Sequence, residues 1–234
     1  MPSWRPAAAA LVADLTHIFA NRLRSLVAYG ACVEGDDDAP LTCLVLVASI
    51  GVTDLDACAR LAPHWERQRI ATPLILPEDE FRRSLDAFPL EYGEIVRAHE
   101  HVFGSNPFDG ASIARDDLRR ACETQIKSHL LYLREGYIEA SGRPQAVAEL
   151  VTTSAPAFAA LLRQVARLGG STTVDRAGAT LEGARAASLP EGIVGDMLAL
   201  ERRAPIPTTD AARLFPVYLA AVEQLSRVVD SWRT

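Results

Sequence analysis

Apolar residues change their spacing near residue 110 of this 234-residue chain. In the first part, Leu11, Leu15, Ile18 and Phe19 recur on one helical face and predict a helix from Pro6 to about Arg24. The run "SLVAYG" then predicts a short buried strand that ends in glycine. "LTCLVLVAS", apolar on both alternating sets of positions, predicts a central strand covered on its two faces. Thr53 stands where a helix cap belongs, before "TDLDACARLAPHWERQ", whose end Pro63 would disturb. "ATPLILP" predicts a third strand, "EDEFRRSL" a helical turn or two, and "FPLEYGEIVRAHEHVFG" one or two further strands.

After the turn-rich "GSNPFDG" the pattern becomes helical throughout. Leu118, Cys122, Ile126, Leu130, Leu133 and Tyr137 form one stripe on a helix from Ala111 to about Ser141. Gly142 stops it, and Pro144 occupies the first turn of the next helix, which Pro156 should bend near Thr152. A loop, "GGSTTVDR", supplies a threonine cap. "TVDRAGATLEGARAASL", "EGIVGDMLALERR" and "DAARLFPVYLAAVEQLSRVVDSW" predict three more helices. The expected architecture is α+β: a small mixed-sheet domain over 1–108, then an all-α helical bundle over 109–234.

Composition narrows the function classes. A net charge of −6, with Lys127 the only lysine, disfavours an extended nucleic-acid footprint and a lysine nucleophile elsewhere. No apolar run approaches the roughly twenty residues that cross a bilayer, and the Ala-rich start lacks a cleavage site, so neither a membrane span nor a signal peptide is expected. Cys32, Cys43, Cys58 and Cys122 follow no zinc-site spacing and are expected as reduced thiols of a cytoplasmic protein. Phosphate-loop, dinucleotide, serine-elbow and HExxH motifs are missing.

One stretch carries chemistry. "SLVAYGACVEGDDDAPLTCLVLV" has Tyr29-Gly30 at a strand end, a second glycine at Gly35, and the apolar strand Leu41 to Val47. With a leading helix and a C-terminal bundle, this resembles the nucleotidyltransferase superfamily of polymerase-beta type, especially its bacterial minimal and aminoglycoside-type members. The resemblance implies a glycine that lets the backbone approach a triphosphate, and a neighbouring serine whose hydroxyl meets a phosphate oxygen. It also implies an Asp-x-Asp pair on the next strand, pointing to one face and holding two Mg²⁺ ions, with a third acid from a later strand.

The motif is degenerate in this chain. Gly30 holds the glycine position, but Ala31 replaces serine and keeps only its backbone N–H. The acidic positions fall near Pro40 and Thr42, or one or two residues later, and no residue from Pro40 to Ala48 is acidic. Displaced acids are Asp36 and Asp38 in the loop, with Glu91 as the later-strand acid and Glu94 as a weaker match. Three readings follow. A degenerate, weakly catalytic or inactive protein would bind a nucleotide or similar phosphate ligand in the inter-domain cleft through Gly30 and Ala31. An active transferase would use Asp36, Asp38 and Glu91 with Mg²⁺ and a nucleoside triphosphate. A non-catalytic protein would act through a partner or as a homodimer, using the apolar face of the last helix.

Other constellations are weighed against plainer roles. His99 and His101 share a strand face but lack a third metal ligand nearby, so exposed strand histidines are expected. His129 is expected at the surface or near a helix end, with a cleft position as the rival. No dedicated metal site is expected.

Overall fold

The structure, a computed structural model, describes residues 3–110, 113–173, 175–201 and 207–232. The chain divides into two compact units, Met1–Ala114 and Arg115–Thr234. The first is built on a four-stranded mixed sheet of β1 (Leu23–Tyr29), β2 (Thr42–Val47), β3 (Leu74–Pro77) and β4 (His99–Gly104), in the order β3-β2-β1-β4. β1 runs antiparallel to both neighbours, while β2 and β3 are parallel.

Helix α1 spans Arg5–Phe19, shorter than its periodicity suggests, because a single turn of tighter helix at Ala20–Arg22 redirects the chain into β1. Helix α2 (Val52–Arg67) follows β2 and runs through Pro63 without ending there. Its N-terminus is capped not from Thr53 but by Asp54, whose Oδ2 accepts the Gly51 N–H at 3.0 Å. Both Asp54 oxygens also accept from Arg22 at 2.8 Å, which holds the carboxyl down at about 2. Trp65 of α2 donates its indole N–H to Asp14 of α1 at 2.9 Å, so the two helices lock over one sheet face.

Helix α3 (Glu78–Arg83) follows β3 as expected. The next segment corrects the sequence reading: residues Pro89–Arg97 form helix α4, not a strand, and only His99–Gly104 is extended. Aromatic and β-branched residues with a mid-segment Gly93 favour a strand by composition. Pro89 at the first helical turn, and Tyr92 and Ile95 three apart and both buried, are the signals that win. Glu91 therefore lies on a helix, not on a later strand.

Among the described residues the second unit holds five helices: α5 (Arg115–Ala140), α6 (Pro144–Leu168), α7 (Arg176–Ala186), α8 (Glu191–Glu201) and α9 (Thr208–Ser231). The helix that carries the stripe begins at Arg115, and Ala111 and Ser112 lie outside the described residues. Gly142, at φ +73°, follows the end of α5, and Pro144 opens α6. α6 continues through Pro156 and packs against all four other helices. Contrary to the sequence expectation it is long and apolar enough to cross a bilayer, but 56% of that window is buried inside the protein, as suits a central core helix. α7 is capped by Asp175, which accepts the Gly178 N–H at 2.6 Å, rather than by a threonine. Gly183 lets α7 approach α6 so closely that a Cβ there would lie 1.8 Å from the Leu162 carbonyl oxygen.

His129 is a core residue of this unit, not a surface one. Its Nε2 lies 2.7 Å from the Tyr218 hydroxyl, and its ring stacks on Phe158 at 6.2 Å. Burial lowers its pKa to about 4. The four cysteines are buried free thiols, and burial pushes Cys122 up to about 12.

Two predictions follow. Gly104 has φ +77°, and a Cβ there would stand 1.9 Å from the Arg24 carbonyl oxygen where β4 docks on β1. Gly104→Ala is expected to destabilise by about 1–3 kcal/mol, read as a shift in the denaturant midpoint. For His129, the folded pKa of about 4 lies below the ordinary 6.5, so the unfolded chain binds the proton first. Stability is then complete above pH 6.5 and falls by about 3 kcal/mol as pH drops towards 4. Asp54 and Glu123, both lowered to about 2, lose their contributions as pH falls past their ordinary values of 3.8 and 4.5, at the acid end of that window and below it. His129→Gln should flatten the slope between pH 6.5 and 4, measured by unfolding at each pH.

Candidate functional site

β1 ends at Tyr29, which lies opposite Thr42 on one side and His99 on the other. The chain leaves the sheet at Gly30, with φ +79°, a conformation that glycine adopts without strain. It then coils tightly: the Gly30 carbonyl accepts from the Val33 and Glu34 N–H groups at 3.0 and 3.2 Å, and the Ala31 carbonyl accepts from Asp36 at 3.0 Å. Gly35, at φ +98°, closes the turn. Both glycines singled out in the sequence thus sit at reversals of backbone handedness, and Ala31 is half-buried between them.

The strand that should carry the paired acids is enclosed on both faces. Thr42, Leu44 and Leu46 alternate onto one side of the sheet. There Leu44 and Leu46 cluster with Val27, Leu76, Phe81, Tyr92, Ile95 and Phe108, and Tyr29 packs against them. Phe81 makes edge contacts with Tyr92 at 5.0 Å and Phe108 at 5.7 Å. On the other side Cys43, Val45 and Val47 meet Leu11, Leu15, Phe19 and Trp65 of α1 and α2. From Cys43 to Val47 every position faces hydrocarbon, whereas the register Pro40/Thr42 would stand at the mouth of the strand, where Pro40 is exposed and Thr42 half-buried. The side chains of β2 therefore do not fit a pair of Mg²⁺ ions, which need oxygen ligands.

The displaced acids stand apart from that strand. Asp36 and Asp38 are exposed, and the Asp36 carboxylate accepts the Asp38 N–H at 3.0 Å in a local turn. Asp38 also lies 4.0 Å from Arg69, and the intervening Asp37 accepts from the Ser3 hydroxyl at 3.1 Å. Glu91 is exposed in the first turn of α4. Among the described residues, no three His, Cys, Asp or Glu side chains gather as a metal site. His99 turns Nδ1 to the Ile95 and Val96 carbonyls at 3.0 and 3.2 Å and packs its ring on Phe108, while His101 is exposed.

Sequence reasoning missed an enclosed ion pair at the turn. Glu34 forms an ion pair with Arg97, the last residue of α4, and only 8% and 17% of the two side chains remain exposed. Glu94 lies 3.7 Å from the same guanidinium. The partners are distant in sequence and share no motif, so only the antiparallel pairing of β1 and β4 brings them together. A cavity of about 100 Å³ lies beside the acidic loop, lined by Asp37, Ala39, Leu41 and Arg69, and two others lie away from it. A groove of about 550 Å³ between α8 and α9 is lined by Ile193, Asp196, Asp210, Arg213, Leu214 and Val217, and one of about 290 Å³ lies between α1 and β4.

No protein-family model matches this chain, and no curated protein matches it in sequence. Among solved structures, it is similar to the spectinomycin adenyltransferase AAD(9) from Enterococcus faecialis, determined with ATP and spectinomycin. The TM-score is 0.58 at 13% identity, over 96% of this chain and 98% of that one. Likeness at this identity establishes the fold. The chain has a nucleotidyltransferase-like fold, a small mixed sheet joined to a helical region.

Proposed function

We propose that this protein uses a nucleotidyltransferase-like fold to bind a nucleotide or similar phosphate ligand at the Gly30 turn, without running two-metal transfer. The observation that carries this reading is that β2 holds no carboxylate and is packed in apolar side chains on both faces from Cys43 to Val47. A carboxylate pair aligns two cations, the attacking oxygen and the leaving group for in-line displacement. The stretch from Pro40 to Ala48, which has no acidic residue, offers no such alignment.

What remains at the turn is backbone. Gly30 at positive φ allows close approach of a phosphate, and the Ala31 N–H is a donor that needs no hydroxyl beside it. The similar adenyltransferase was determined with ATP, which makes a nucleotide the reasonable first ligand to test. The acidic run from Glu34 to Asp38 opposes anions, so the affinity should be low. A second reading, action through a partner or a second copy, is favoured by Leu131 and Ile138, seven residues apart on one face of α5 and 56% and 75% exposed.

Calorimetry with ATP, with and without Mg²⁺, separates these. The expected result is weak binding that magnesium does not strengthen, with no pyrophosphate released. Magnesium-dependent binding with pyrophosphate release would overturn the proposal in favour of active transfer. Absence of any heat would overturn it in favour of the partner reading.

A further inference from the structure

The Glu34–Arg97 pair lies beside the turn on which the proposed binding rests. The β1–β4 ladder ends where Tyr29 lies opposite His99; the Gly30 turn leaves that end on one chain, and helix α4 delivers Arg97 two residues before it on the other. Glu34 is drawn back over the same spot, because its N–H donates to the Gly30 and Ala31 carbonyls at 3.2 and 3.1 Å. Its carboxylate then meets the Arg97 guanidinium in a largely enclosed position. A planar guanidinium fork binds a carboxylate and a phosphate with the same geometry.

We propose that Arg97 is the anion-binding side chain of the Gly30 turn, and that Glu34 occupies it in the ligand-free protein as an internal carboxylate that a phosphate or pyrophosphate group displaces. This deepens, and rests on, the binding role given to the turn above. Three features support the exchange. The Ala31 N–H and the Arg97 guanidinium both lie just beyond the Tyr29–His99 end of the ladder, on the two chains that leave it, which is where the proposal seats one anion. The segment bearing Glu34 is bracketed by Gly30 and Gly35, both at positive φ, and a Cβ at either would meet nothing within 4 Å. Those glycines therefore answer to backbone conformation rather than to crowding, as pivots of a turn that re-forms would. Finally, Glu94 at 3.7 Å keeps the guanidinium in place when Glu34 leaves it. The arrangement explains how a turn with an acidic loop could receive an anion: the carboxylate nearest the cation is exchanged, not overcome.

The test uses the full chain, inorganic pyrophosphate as the probe, and a chelator to remove divalent metals. Glu34→Gln keeps the size and hydrogen-bonding capacity of the side chain while removing its charge, and should tighten pyrophosphate binding tenfold or more in calorimetry. Arg97→Met should abolish binding, and Arg97→Lys should retain it at reduced affinity, which keeps the test informative if Arg97→Met does not fold. Circular dichroism confirms the fold of each variant. If wild-type protein, Glu34→Gln and Arg97→Lys all bind pyrophosphate equally, the pair is only a structural ion pair and this inference fails, while binding at the turn stands. If none of the folded variants binds, the inference and the proposed function fail together.

Discussion

Two apolar layers press on one strand. β2 has α1 and α2 against one face, and against the other α3, α4 and Phe108, so five of its six residues are buried. The position of every group near the Gly30 turn depends on that packing, because β1 takes its register from β2 and β4 takes its register from β1. A carboxylate placed at Leu44 would have to leave water for a pocket of Phe81, Tyr92 and Ile95, and an isolated charge in such surroundings is neutralised or expelled. The same contacts that stabilise the sheet therefore oppose an acid at Leu44 or deeper in the strand.

Much of the fold was legible because hydrophobic periodicity and punctuation agreed. β1 and β2 are continuous apolar runs, and Gly142 and Pro144 mark the junction of α5 and α6 in sequence and in space. α4 was misread because local composition favoured a strand while tertiary packing of Tyr92 and Ile95 favoured a helix. Carboxylates rather than threonines cap these helices: Asp54 reaches three residues back to the Gly51 N–H, and Asp175 reaches three residues forward to the Gly178 N–H. His129 looked like a surface residue because a polar ring on an apolar stripe gives no sign of a buried partner. Its partner, Tyr218, lies on another helix.

The site was legible only in its backbone. Glycines at 30 and 35 announced a turn with positive φ, and the missing acids could be counted directly. The Glu34–Arg97 contact could not be read, because it depends on how far α4 extends before β4 begins. Charge near the turn is consequently better balanced than the run of acids from Glu34 to Asp38 suggests: Glu34 is paired inward, whereas Asp36 and Asp38 face solvent, where screening weakens them.

The enclosure of β2 is tested most directly by titrating isotope-labelled protein with Mn²⁺ and following paramagnetic broadening of backbone amide signals. The account predicts no broadening localised to Tyr29, Thr42 and Leu44 at metal concentrations that saturate a carboxylate pair. Selective loss of those three signals at low Mn²⁺ would place a divalent ion on the strand and contradict it.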